Sequence, residues 1–148
     1  MYDKILIPTD GTEGTRGAVE HAIDLAMVYD AALHTIYVIE GGGPTDASVP
    51  GILDALEETG KNAIDEVLQQ AEAAGVRTIE GSVAQGTPHQ VILDYVDENE
   101  IDSIVMGTHG RTGLDRYFLG SVTENVVRVS DAPVLTVPMS IGSADRSS

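Results

Sequence analysis

The spacing of apolar residues along the chain switches repeatedly between a strand-like period of two and a helix-like period of about 3.6, and few folds accommodate that alternation. Lys4 to Thr9 is a short β-type run that closes on Pro8-Thr9-Asp10-Gly11. Thr12 to Tyr29 places Ala18, Ala22, Leu25 and Ala26 on one helical face, widened by Val19 and Ile23. Leu33 to Ile39 is a second strand, ended by the breaker cluster Gly41-Gly42-Gly43-Pro44. A long helix spans Ile52 to Ala74, and Gly60 inside it costs about 1 kcal/mol against alanine, which allows a bend. Gly75 suits the left-handed residue that ends such a helix, and Val76 to Val83 follows as strand three. Thr87-Pro88 reads as the N-cap and first position of a third helix, with Val91, Ile92, Tyr95 and Val96 as its buried stripe. Ser103 to Met106 is a fourth strand, Ser121 to Val129 a fourth helix and Pro133 to Val137 a fifth strand. Strictly alternating strands and helices predict an α/β fold: one Rossmann-like domain over residues 1–138, a doubly wound five-stranded parallel sheet with helices on both faces. Residues 139–148 are small and polar and read as a flexible tail.

Composition removes whole classes of chemistry. The chain has no cysteine, so disulfides, zinc–thiolate sites, iron–sulfur clusters and thiol catalysis are excluded. His21, His34, His89 and His109 are scattered without H-E-x-x-H spacing, and no built-in metal site is expected. No apolar run approaches the roughly 18 residues of a membrane span, and the first residues lack a basic segment followed by a long apolar one. A cytoplasmic address is therefore expected. Twenty-four acidic against eight basic residues give a formal net charge of −16, which repels nucleic acid and anionic membrane surfaces.

Ligands of open α/β sheets sit beyond the carboxyl ends of strands where the winding reverses, and two strand ends here carry ligand-type residues. One is Pro8-Thr9-Asp10-Gly11; the other runs from Met106-Gly107-Thr108-His109-Gly110 through Arg111-Thr112-Gly113 to Gly120-Ser121-Val122-Thr123. Gly107 and Gly110 lack a Cβ, so backbone there can approach a ribose or phosphate closely. Gly120-Ser121 begins a helix whose unpaired N–H groups and positive dipole end favour phosphate, with the hydroxyls of Ser121 and Thr123 as further donors. Asp10 fits two readings, a ribose acceptor or a plain helix cap in an Asp-Gly-Thr turn. Arg111 fits two as well, an anion contact or a partner for nearby acids. His109 reads as loop structure, and Arg116 as a solvated charge. Gly11, Gly14 and Gly17, with Glu40 after strand two, mimic a dinucleotide fingerprint, but the spacing is not G-x-G-x-x-G. A P-loop is absent.

The sequence resembles the universal stress protein family in its ATP-binding branch. That family's Gly-x-x-Gly, nine residues, then Gly-Ser/Thr stands here as Gly107-Thr108-His109-Gly110, Arg111 to Leu119, and Gly120-Ser121. The likeness extends from Lys4-Ile5-Leu6-Ile7-Pro8-Thr9-Asp10-Gly11 to Pro133-Val134-Leu135-Thr136-Val137-Pro138. It implies the adenine nucleotide alpha hydrolase-like fold and ATP, ADP or AMP as ligand, with Mg2+ or Mn2+ accompanying the phosphates. It further implies that Asp10 contacts ribose, that Pro8 and Thr9 line the base site, and that the backbone of Val38 meets adenine. Gly107 to Gly113 would hold ribose and phosphates, and Ser121, Val122 and Thr123 the phosphate tail. Relatives commonly dimerise through strand five, here Val134, Leu135, Thr136 and Val137. No residue reads as a catalytic base, so a dimeric switch or sensor with at most slow hydrolysis is expected. The alternatives are a partner-binding accessory module with a vestigial pocket, and a hydrolysing or adenylating enzyme of the same superfamily.

The charge carries an expectation of its own. With only Lys4 and Lys61 as lysines, so acidic a chain strains its folded state by self-repulsion unless salt screens it. A host with a salty cytosol, a halophilic archaeon, is the expected source. The unfolding midpoint should rise between low and multimolar salt; equal stability in both contradicts the expectation.

Overall fold

The structure, a computed structural model, describes residues 2–40, 51–108 and 120–138. In chain order these form β1 (Lys4–Pro8), α1 (Glu13–Tyr29), β2 (Ala32–Ile39), α2 (Ile52–Ala74), β3 (Ile79–Gln85), α3 (Pro88–Glu98), β4 (Ser103–Gly107), α4 (Ser121–Val129) and β5 (Val134–Val137). The five strands pair in parallel in the order β3-β2-β1-β4-β5. The winding therefore reverses between β1 and β4, as the alternation of elements predicted.

Strand alternation explains why both faces are covered. Ile5 and Ile7 of β1 pack with Ala18, Ala22 and Ala26 of α1 and Val67 and Ala71 of α2. Leu6, between them, packs on the opposite face with Ile92 and Val96 of α3 and Val126 of α4. All three β1 residues are fully buried, the pattern of a central strand in a parallel sheet. At the outer edge β5 pairs, among the described residues, with β4 alone, and Leu135 on it is exposed.

Two local expectations change. Strand three begins at Ile79 rather than Val76, because Val76 still belongs to the end of α2. Gly75 turns left-handed at φ 102° after α2. Its N–H reaches the Glu72 carbonyl at 3.0 Å, and the Val76 N–H reaches that of Ala71 at 3.0 Å. This paired closure satisfies otherwise unpaired carbonyls and drops Val76 into the core.

Gly60 also has a different role from the expected bend, since α2 runs through it as one helix. It is buried, and a Cβ there would stand 2.8 Å from Cδ1 of Tyr37 and 3.2 Å from Cγ1 of Val83. A Cβ on Gly81 of β3 would likewise overlap Cγ2 of Ile64. Glycine on helix and strand alike lets α2 lie this close to the β2–β3 half of the sheet. In an exposed helix interior Gly→Ala stabilises by about 1 kcal/mol. Here Gly60→Ala should instead cost about 1–3 kcal/mol in denaturant unfolding, because the Tyr37 ring is buried and must shift. A stabilised variant would contradict this packing.

Candidate functional site

A cleft of about 260 Å³ opens at the carboxyl ends of β1 and β4, the point where the winding reverses. Its apolar wall is Pro8, Ile36, Val38, Pro88, Ile92 and Met106. Thr9, Asp10, Thr15 and Glu40 give it polar groups, and Gly107, Gly120, Ser121, Val122 and Thr123 close the other side.

The end of β1 shapes the first half. Thr9 makes the last β1-side backbone bond, its N–H donating to the Ile36 carbonyl at 2.9 Å. The chain then turns away at Gly11, whose φ of 78° suits glycine. Asp10 organises that turn: its Oδ1 accepts from the Thr12 N–H at 2.9 Å, the Thr12 hydroxyl at 2.5 Å and the Thr15 hydroxyl at 3.4 Å. Asp10 thus closes the turn that precedes α1 and is not its N-cap, a position that Thr12 holds without a side-chain cap bond. Among the described residues Oδ2 takes no hydrogen bond, and Asp10 lines the cleft.

The consequence for β2 follows from ladder geometry. In a parallel pair the peptide groups of successive residues point alternately to the two neighbouring strands. Ile36 presents its carbonyl to β1, and Ile39 presents its carbonyl to the Gly86 N–H beyond β3 at 3.0 Å. Val38 is the next residue after Ile36 to face the β1 side, and β1's last register partner is Pro8 opposite Ile36. Its N–H and C=O therefore point into space that β1 has vacated. Among the described residues no backbone partner meets them there.

The second half is the start of α4. The Thr108 N–H donates to the Val137 carbonyl at 3.0 Å, and the Gly120 N–H to the Thr108 carbonyl at 2.7 Å. These bonds fix where the helix begins. The N–H groups of Ser121, Val122 and Thr123 precede the first intrahelical bond, from the Glu124 N–H to the Gly120 carbonyl at 2.9 Å. Three donors without a backbone partner among the described residues, and a dipole end worth about half a positive charge, thus border the cleft. Thr123 does not add the hydroxyl donor expected of it. Its side chain is buried and its hydroxyl donates to the Gly107 carbonyl at 2.8 Å, tying α4 to the end of β4. Ser121 is the hydroxyl left at the cleft.

A polar cluster around the buried His34 braces the apolar wall from behind. His34, two residues before Ile36 on β2, places Nδ1 2.6 Å from the hydroxyl of Tyr95, one turn after Ile92 on α3. Burial lowers the His34 pKa; Glu80, at 3.8 Å from Nε2, pulls it back up, and Lys4 lowers it further. Burial likewise raises the Tyr95 pKa, as does Glu80, while a hydrogen bond from Ser82 lowers it. With His34 neutral, Tyr95 donates to Nδ1 and leaves the imidazole proton on Nε2, facing Glu80. The scattered histidine thus orients α3 on the sheet.

Of the residues singled out from sequence, Pro8, Thr9, Asp10, Val38, Met106, Gly107, Gly120, Ser121, Val122 and Thr123 converge on this cleft. Thr108 stands at its edge through the two backbone bonds above. His109, Gly110, Arg111, Thr112 and Gly113 lie outside the described residues, as does Arg116. Thr15, Ile36, Pro88 and Ile92 line the cleft without having been selected, and Glu40 does so outside the fingerprint first weighed for it. Ile36 shares its strand face with Val38, a period-two signal that was available. No basic side chain lines the cleft among the described residues; Arg128 pairs with Glu124 at 2.7 Å and Arg77 with Asp30 at 3.5 Å.

A five-stranded parallel α/β domain with helices on both faces and a cleft at its switch point is of the Rossmann-like α/β class. The family model described as the universal stress protein family matches residues 1–138, and the chain belongs to that family. Universal stress protein MJ0531 of Methanocaldococcus jannaschii is 40% identical over 141 residues, spanning 93% of this chain and 82% of that protein. MJ0577 of the same organism is 30% identical over 155 residues, spanning 93% and 95%. The solved structure of MJ0577 superposes with a TM-score of 0.84 over 96% of this chain and 99% of its own. A universal stress protein solved in complex with cAMP has a TM-score of 0.68 at 28% identity, over 94% and 98%.

Proposed function

We propose that this chain belongs to the family's ATP-binding branch and is a stress-response protein that binds an adenine nucleotide, ATP foremost, in the cleft between β1 and β4. One observation carries the reading: the open peptide groups of Val38 and the unpaired N–H groups of α4 border the same cleft. The first pair suits the edge of a base, which offers an acceptor beside a donor, and the apolar wall suits its faces. The second set suits phosphate. Oδ2 of Asp10, which takes no hydrogen bond among the described residues, would accept from ribose hydroxyls, with Pro8 and Thr9 beside the base. Met106 and Gly107 through Gly113, with Thr108, His109, Gly110, Arg111 and Thr112, would carry ribose and the first phosphates. Ser121, Val122 and Thr123 would take the tail through their N–H groups. The cAMP complex of a family member supports an adenine nucleotide as the ligand class.

Among the described residues no three His, Asp or Glu side chains gather as a metal site. Mg2+ or Mn2+ would enter on the phosphates. The exposed edge of β5, with Leu135 on it and Val127 and Val129 exposed on α4, suits a homodimer that covers the unpaired strand. Residues 1–138 form the binding domain and 139–148 the tail. The whole acts as a dimeric switch in a cytoplasm salty enough to screen its charge, with hydrolysis slow at most.

The reading is tested by calorimetric titration with ATP in high salt, followed by product analysis over hours. Saturable binding with little ADP or AMP is expected. Gly107→Val combined with Gly120→Val, checked for native circular dichroism, should weaken binding at least tenfold. Full affinity in that variant contradicts the phosphate placement, and rapid ADP or AMP release favours the enzyme reading.

A further inference from the structure

We infer that Thr12 is a positioning residue, whose hydroxyl holds the Asp10 carboxylate in place for the ribose. The cleft then prefers a nucleotide with ribose hydroxyls to one without them, an inference that rests on the nucleotide reading above. Under that reading Asp10 is the ribose acceptor, and a carboxylate on a turn rotates about its Cβ–Cγ bond unless something holds it. Each carboxylate oxygen offers about two lone pairs. Oδ1 of Asp10 spends both on Thr12, accepting its N–H at 2.9 Å and its hydroxyl at 2.5 Å. Turning the carboxylate breaks both bonds together. Oδ2 is thus the oxygen left for a ligand, on a residue that lines the cleft.

Thr12 departs from its ordinary use in doing so. It stands at the N-cap of α1 in an extended conformation, where a threonine hydroxyl usually accepts from an N–H of the helix's first turn. That of Thr12 makes no cap bond and gives its proton to Asp10 instead. Thr15 is no substitute. Its single hydroxyl proton has three acceptors in reach: the Thr12 carbonyl at 3.1 Å, Thr9 Oγ1 at 3.3 Å and Asp10 Oδ1, the farthest, at 3.4 Å. The turn itself has other supports. The Gly11 N–H donates to Thr9 Oγ1 at 3.1 Å, and the Thr15 N–H to the Thr12 carbonyl at 3.1 Å. Removing the Thr12 hydroxyl therefore leaves Oδ1 with one strong bond, about which the carboxylate pivots, while the turn stays closed.

The test is calorimetric titration of the whole chain and its Thr12→Val and Thr12→Ser variants with ATP and with 2′,3′-dideoxy-ATP at one salt concentration. Each variant is first checked for native circular dichroism, and Thr12→Ala reads the same loss where Thr12→Val does not fold. The wild type should bind ATP about tenfold more tightly than the dideoxy analogue, because a site built for a hydroxyl rejects the ligand lacking it. Thr12→Val keeps the shape without the hydroxyl, and should bring that ratio below about threefold by weakening ATP alone. Thr12→Ser keeps the hydroxyl and should keep the ratio. A ratio unchanged by Thr12→Val, with ATP still bound, overturns the inference. So does an equal weakening of both nucleotides, the mark of a residue that only supports the turn, and so does a Thr12→Ser variant that behaves like Thr12→Val. All three leave the nucleotide reading standing. A wild type that binds both nucleotides alike removes the ribose contact of Asp10 and the inference with it. Failure of the wild type to bind either one overturns the nucleotide reading itself.

Discussion

The site depends on where β1 stops. Its last register partner is Pro8 opposite Ile36, and one further hydrogen bond, from Thr9 to Ile36, closes the ladder. Had β1 continued by two residues, Val38 would be paired and the cleft filled by backbone. The strand stops because Asp10 draws Thr12 and Thr15 into a turn around one carboxylate oxygen, with Gly11 in a conformation that other residues rarely adopt. β2 runs on to Ile39 because β3 accompanies it there. The vacancy is thus a difference in length between two neighbouring strands, held open by one turn.

The opposite wall is set by equally local bonds. Thr108 is anchored to Val137 and receives Gly120, so the chain that leaves β4 and the chain that enters α4 meet at one point. Thr123 closes the same junction from inside the helix by donating to Gly107. The buried threonine locks them. Among the described residues this division leaves donors rather than cations facing the cleft. In a chain with a net charge of −16, fixed N–H groups give attraction for an anion without requiring arginine or lysine to stay unpaired amid carboxylates.

Much of this was legible in the residues, and the failures have physical causes. Element order and sheet type follow from periodicity, because a central strand such as Ile5-Leu6-Ile7 has no alternative way to bury every side chain. The start of β3 was misplaced by three residues, since Val76 is apolar whether it serves a strand or seals a helix end. Gly60 was read through propensity alone, whereas the Tyr37 ring that demands it sits on another element, 23 residues away in sequence. Motif residues located the cleft, but a motif names positions and not proton directions. Thr123 therefore looked like a phosphate donor until its buried partner was visible. Ile92 joins the site through packing of a separate helix on the sheet, which no local pattern encodes.

The central claim is that base and phosphates occupy opposite ends of this one cleft, at Val38 and at the start of α4. Amide NMR of the 15N-labelled protein during ATP titration tests it most directly. The account predicts that the amide resonances of Val38, Ser121 and Val122 shift together along one saturating curve, and that the Val38 amide becomes protected from exchange. Saturation by ATP with the Val38 and Ser121 amides unmoved would contradict it.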